Sequence, residues 1–178
     1  MTTPIDPTWP RRCGTMAAHH RLLDTQPGYA DTCAEIENFT YFRRAPAREA
    51  VLRIPVVVHV VWQTGSQNVS DPQVHSQLAV LNQDFRAANP DLDRVVPEVW
   101  RPLVADARLE FALATVDPDG APTTGIVRAR TTLPAFDTDD AVKSTAAGGS
   151  DPWPADRYLN TWVCELAGGL LGYAQFPG

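Results

Sequence analysis

The most apolar stretch of the chain, Ile54-Pro55-Val56-Val57-Val58-His59-Val60-Val61-Trp62, carries β-branched residues on both parities. Both faces of such a segment need cover, which predicts a central strand in a layered sheet. Before it the pattern is helical: 16–24 reads as a short helix stopped by Pro27, and 29–39 repeats apolar Tyr29, Cys33 and Ile36 along one face. After it, Ser70-Asp71-Pro72-Gln73 offers a serine cap with glutamine three residues on, followed by apolar Val74, Leu78, Leu81, Phe85 and Ala88. This spacing predicts one helix ended by Asn89-Pro90, with His75, Gln77, Asn82 and Arg86 on its polar face.

Further on, Leu109, Phe111 and Leu113 share one face of a strand over 109–116. The turn Asp117-Pro118-Asp119-Gly120 sends the chain towards a second strand over 125–131, and the two are expected at a sheet edge or bend. Segment 134–154 holds Asp137, Asp139, Asp140 and Gly148-Gly149 and reads as a long acidic loop, of a kind that is usually functional or mobile. Two closing strands follow over 158–166 and 170–176, separated by Gly168-Gly169. The order β, α, β, β, loop, β, β places the chain in the α/β (α+β) class.

Composition narrows the function. The chain has 178 residues, 44% of them hydrophobic and 20% charged, which fits one ordinary globular domain and excludes wholesale disorder, collagen and coiled coil. Its 16 prolines, against a usual ~5% of residues, favour short elements and loops over a helix bundle. A net charge of −6 without a basic block argues against nucleic acid or an anionic membrane as partner. No run approaches the ~18 apolar residues of a membrane span. The first twelve residues lack the basic-then-apolar pattern of a secretory signal, which leaves the compartment open.

The residues that could carry chemistry are few. His19 and His20 are adjacent and cannot chelate together on a helix; His59 lies inside the central strand and His75 on a solvent face. Each reads as a packed or solvated side chain. No H-E-x-x-H, G-x-S-x-G, P-loop or G-x-G-x-x-G string occurs. Three cysteines allow at most one internal disulfide, and Cys33 and Cys164 read as small buried hydrophobes. Cys13 is set in Arg11-Arg12-Cys13-Gly14-Thr15, where the two guanidinium groups would favour a thiolate and Gly14 would let the backbone approach another surface closely. It is either a zinc-directed thiolate or an incidental exposed cysteine. Arg43, Arg44, Arg48 and Arg53, around Pro46, form an exposed basic connector.

Six strings taken in order, RRCGT (11–15), IPVVVHVVW (54–62), LNQDFRAAN (81–89), FALATVDPDGAPTTGIVR (111–128), DPWPADRYLNTWVCEL (151–166) and GGLLGYAQFPG (168–178), resemble the N-terminal part of pappalysin-type metalloendopeptidases, a branch of the metzincin zinc proteases. The resemblance covers nearly the whole chain. It implies a helical pro-segment over 1–50 and, over 51–178, an incomplete metzincin-like N-terminal subdomain: a twisted mixed β-sheet with a backing helix. The zinc-binding motif of that family follows the segment equivalent to GYAQFPG and has no counterpart in these residues. Peptide hydrolysis by zinc-activated water is therefore expected of a longer parent, with no zinc bound by this chain alone and no activity of its own.

The same resemblance implies roles for particular residues. Cys13 corresponds to a cysteine switch whose thiolate takes the place of the catalytic water on zinc. Arg43, Arg44, Arg48 and Arg53 form the activation-cleavage region. Leu170, Leu171, Gly172, Tyr173, Ala174 and Gln175 correspond to the rim strand that pairs antiparallel with a peptide or protein substrate. The strand that should separate 170–176 from 158–166 is missing, so these two segments are expected to pair directly, to need a partner, or to be marginal. The partners implied are the missing C-terminal catalytic segment or a homologous protease. A stand-alone, non-enzymatic homologue that binds a protease or extended peptides is the competing reading. The family is mostly secreted.

Overall fold

The chain is organised around β2 (Leu52–Trp62), whose residues Val56 to Val61 are all buried. The computed structural model describes residues 11–43 and 49–177. Val56, Val58 and Val60 face one layer, a core built with Val74 and Phe111 and flanked by Leu78 and Leu81. Val61 faces the other, against Phe136 and Val142. The even and odd positions thus meet two separate cores, as the continuous apolar run requires.

All the strand pairings to β2 are parallel. One edge of β2 receives two strands end to end: β3 (Leu109–Leu113) lies opposite residues 52–56 and β4 (Ile126–Arg130) opposite 58–62. The junction is marked by Ala114, which donates to the Val56 carbonyl at 2.8 Å, and by Val58, which donates to the Gly125 carbonyl at 2.9 Å. Gly125 has φ +71°, and a Cβ there would stand 2.7 Å from the Ala114 nitrogen, so only glycine closes this excursion. The two strands share an edge, as expected, without forming a hairpin, because an eleven-residue β2 offers room for both in line. The other edge takes β5 (Leu159–Val163) opposite 56–60.

The backing helix α3 (Asp71–Phe85) starts where the sequence predicts. Gln73 Oε1 accepts both the Ser70 N–H at 2.9 Å and the Ser70 hydroxyl at 3.0 Å. It ends earlier than the Asn89-Pro90 expected, because Ala87 turns left-handed at φ 49°. Asn82, expected to face solvent, instead caps the outer edge of β3: its Oδ1 accepts the Phe111 N–H at 2.7 Å and its Nδ2 donates to the Phe111 carbonyl at 2.9 Å. Arg86 extends this clamp to Asp106 at 2.9 Å and Glu110 at 2.6 Å.

The acidic segment 134–154 is folded rather than loose. Phe136 and Val142 are buried, Phe136 exchanges backbone hydrogen bonds with Glu165 and Ala167 at 2.9 and 2.8 Å, and Ser150 donates to the Val142 carbonyl at 2.9 Å. A Cβ on Gly149 would lie 2.1 Å from the Val142 oxygen, so the turn admits only glycine. His59 ties this segment to β5: its Nδ1 meets Ser150 Oγ at 2.9 Å, its Nε2 meets Asn160 Oδ1 at 3.0 Å, and Trp162 stacks on the ring at 4.9 Å. It is a packed core histidine, as its place in β2 predicts.

The N-terminal elements are β1 (Arg12–Cys13), α1 (Thr15–Thr25) and α2 (Tyr29–Phe42). The last strand, β6 (Leu170–Gly172), pairs with β1 and not with β5. Among the described residues no helix is long and apolar enough to cross a membrane.

Candidate functional site

The N-terminal segment is laid along the chain's last residues. β1 runs parallel to β6, with Arg12 opposite Leu170 and Cys13 opposite Gly172. Arg12 donates its N–H to the Gly169 carbonyl at 3.1 Å and a guanidinium N–H to the Gly168 carbonyl at 3.0 Å. Gly14 then donates to the Gly172 carbonyl at 2.9 Å. A Cβ on Gly14 would meet Thr138 Cγ2 at 2.6 Å, Leu170 Cδ2 at 3.1 Å and Tyr173 Cβ at 3.2 Å, so this is the close approach that glycine was expected to permit. Thr15 Oγ1 accepts the Ala174 N–H at 3.0 Å, completing a run of contacts from 168 to 174.

The contact continues along the two helices. Tyr29, 1% exposed, donates its hydroxyl to the Phe176 carbonyl at 3.3 Å, and His19 packs edge-on against Phe176 at 5.1 Å. The Cys33 thiol points at the Pro177 carbonyl at 3.4 Å. On the other side of α1, Arg21 donates Nε to the Thr138 carbonyl at 3.0 Å and pairs through Nη2 with Asp140 Oδ2. Asp140 Oδ1 is held by Lys143 at 2.7 Å and by the Tyr173 hydroxyl at 3.3 Å. Burial raises the Asp140 carboxyl, but the hydrogen bonds from Lys143 and Arg21 outweigh it and leave it below the usual carboxylate range.

Cys13 is exposed at the N-terminus of α1. Its thiol is shifted down because Thr15 offers both its hydroxyl, 3.2 Å from Sγ, and its backbone N–H to the thiolate. The groups that favour the thiolate thus differ from the arginines expected, since the Arg12 guanidinium is turned to Gly168. Cys164, by contrast, is a half-buried thiol pushed up to about 11 by burial and by Glu165. Cys33 is half-buried as well.

The basic connector is only partly within view. Arg43 is exposed at the end of α2, with its guanidinium over the Phe39 ring at 4.7 Å. Arg53 lies inside β2 opposite Glu110. Arg44 and Arg48 lie outside the described residues. Leu170, Leu171 and Gly172 form β6, and Tyr173, Ala174 and Gln175 continue beyond it as irregular chain. Gly172 leaves one side open, with nothing within 4 Å of where its Cβ would be. Arg21, Tyr29, Thr138 and Asp140 carry much of the interface and were not singled out for it by sequence, because their partners lie more than a hundred residues away in most cases.

Among the described residues no three His, Cys, Asp or Glu side chains converge as a metal site. Among the described residues Cys13 offers one exposed thiol, a donor of the kind that zinc accepts.

This α/β fold, a parallel sheet backed by a helix, is similar to a metalloprotease fold. No family model matches the sequence, and no curated protein matches it. Among solved structures, a mutant of promirolysin from Tannerella forsythia is similar with a TM-score of 0.81 and 40% identity, over 94% of this chain and 54% of that one. Mature mirolysin from Tannerella forsythia in complex with a cleaved peptide is similar with a TM-score of 0.71 and 46% identity, over 73% of this chain and 48% of that one. Mirolysin in complex with compound 9 gives 0.70 and 48%, over 72% and 48%. The chain spans about half the length of these metallopeptidases.

Proposed function

We propose that the chain is the N-terminal zymogen portion of a metzincin, pappalysin-type zinc metalloendopeptidase, with the pro-segment over 1–50 and the upper part of the catalytic domain over 51–178. The observation that carries this reading is the parallel pairing of Cys13 with Gly172 on β6. The fall in matched length from 94% of the chain against promirolysin to 73% against mature mirolysin supports a pro-segment boundary near residue 50.

β6 presents its backbone to an extended peptide, which would pair with it by strand addition. A substrate pairs antiparallel in this family. The pro-segment runs the opposite way, so each of its peptide bonds presents reversed polarity to the same rim and is not set up for cleavage. Gly14 N–H on the Gly172 carbonyl and Thr15 Oγ1 on the Ala174 N–H occupy two main-chain groups that two residues of an antiparallel substrate would otherwise use. Zinc, when bound in the parent, supplies the Lewis acid that activates water. Cys13, an exposed thiol shifted down by Thr15, would supply one sulfur ligand towards that zinc and so would keep the zymogen silent. Cleavage in the connector, at Arg43, Arg44 or Arg48, would release this segment; Arg53, hydrogen-bonded into β2, is the least open of the four to a protease.

Because β6 is filled by the chain's own β1, capture of peptides in trans by this strand is the less favoured reading. The deciding experiment compares autoactivation of the full-length parent with its Cys13→Ala variant. The variant is expected to lose its pro-segment several-fold faster; equal rates would remove the switch role from Cys13.

A further inference from the structure

The Arg21 guanidinium occupies a two-point site: Nε on the Thr138 carbonyl at 3.0 Å and Nη2 on Asp140 Oδ2. This fork matches the planar guanidinium, whose Nε and Nη2 donors are fixed side by side, better than the compact point charge of an ammonium. Asp140 is oriented for it, since Lys143 and the Tyr173 hydroxyl engage Oδ1 and leave Oδ2 to the guest. The carboxylate is also only about a quarter exposed, with a side-chain exposure of 24%. Asp137 and Asp139 on the same segment keep it acidic despite Lys143.

The site is in line with the rim. The Gly172 carbonyl and the Ala174 N–H flank Tyr173, so in an antiparallel substrate they bond the N–H of one residue and the carbonyl of another, and the substrate residue between those two stands directly opposite Tyr173 and projects its side chain to the same face. Tyr173 projects to Asp140. A long side chain on the substrate would follow the Tyr173 ring and end at the same carboxylate.

We propose that Thr138 and Asp140 form an arginine-accepting subsite for peptide substrates, on the N-terminal side of the point that Cys13 marks, and that Arg21 of the pro-segment fills it in the zymogen. This rests on the reading of the chain as the N-terminal part of a protease whose substrates pair with β6. It adds a specificity determinant on the upper rim, and it makes Arg21 a stand-in for a substrate side chain.

The test uses the processed full-length parent and a set of otherwise identical peptides carrying arginine, lysine or the uncharged isostere citrulline at successive positions before the cleaved bond. Arginine is expected to exceed citrulline by about tenfold or more in kcat/KM at one position, the size of a charge-assisted hydrogen-bond pair, with lysine in between. In Asp140→Asn the arginine-to-citrulline ratio at that position is expected to collapse towards 1. An arginine-to-citrulline ratio near 1 at every position in the unaltered enzyme overturns the subsite and leaves Arg21–Asp140 as a pro-segment contact alone; this arm needs no variant to fold. Cleavage of none of the peptides overturns the protease reading itself, and the subsite with it.

Discussion

Gly14 donates its N–H to the Gly172 carbonyl at 2.9 Å, and its bare α-carbon is pressed against Thr138, Leu170 and Tyr173. One methyl group is too much here, because a Cβ 2.6 Å from Thr138 Cγ2 forces either the segment or Thr138 to move. Gly14→Ala is expected to weaken docking of 11–33 by about 1–3 kcal/mol, the usual cost of overfilling a packed contact. Hydrogen exchange checks this: the amides of Arg12 and Gly14, which bond to Gly169 and Gly172, should lose protection while β2 keeps its own. Unchanged protection at Gly14 contradicts the contact.

The Cys13 thiol is shifted down by Thr15, whose hydroxyl can donate to Sγ while its lone pair accepts the Ala174 N–H. Thr15→Ala is therefore expected to move the pH midpoint of Cys13 alkylation upward and to slow the reaction near neutral pH. Thr15→Ser keeps the hydroxyl and should restore the midpoint. A midpoint that stays the same in Thr15→Ala would assign the shift to the backbone N–H alone.

What could be read from the sequence was what is local. The central strand, the Ser70–Gln73 cap and the close approach at Gly14 declare themselves within windows of a few residues, and each stands where it was expected. Asn82 was misplaced because a helical wheel knows only that a polar residue prefers water; it has no knowledge of an outward-facing Phe111 N–H and carbonyl across the layer. The site is the extreme case. Arg12 meets Gly168 across 156 residues, and Arg21 meets Asp140 across 119, so no periodicity could have joined them. The glycines were the nearest thing to a signal, since Gly14, Gly125 and Gly149 each mark a spot where a backbone passes too close for a side chain.

His59 is 1% exposed, and its burial disfavours the charged imidazole. Asn160 uses Nδ2 on the Trp153 carbonyl at 2.8 Å, so its Oδ1 accepts Nε2–H of His59, and Nδ1 accepts the Ser150 hydroxyl. Burial lowers the imidazole, with the Asn160 hydrogen bond opposing. As pH falls, the unfolded chain takes up this proton first, near the ordinary ~6.5, so folded stability is fully present above that pH and declines below it. Urea melts between pH 7.5 and 5 should show this decline, and His59→Gln should flatten it while costing about 2–4 kcal/mol at neutral pH through the altered network. A wild-type midpoint independent of pH in this window would contradict a neutral, buried His59.

Asn82 is the remaining test of how the sheet ends. Strand β3 turns the Phe111 N–H and carbonyl away from β2, and Asn82 satisfies both at 2.7 and 2.9 Å. Asn82→Ala removes a donor and an acceptor at once and reopens that edge, which is expected to cost about 1–3 kcal/mol in urea melts. Asn82→Asp separates the two halves: the carboxylate can still accept the N–H but sets a negative charge against the carbonyl, so it should recover less than the full loss. An opened edge is also a template for another strand, so Asn82→Ala should show concentration-dependent association by sedimentation that the unaltered chain shows less. A stability change below about 0.5 kcal/mol would mean that water replaces Asn82 freely and that the clamp rests on Arg86 with Asp106 and Glu110 instead.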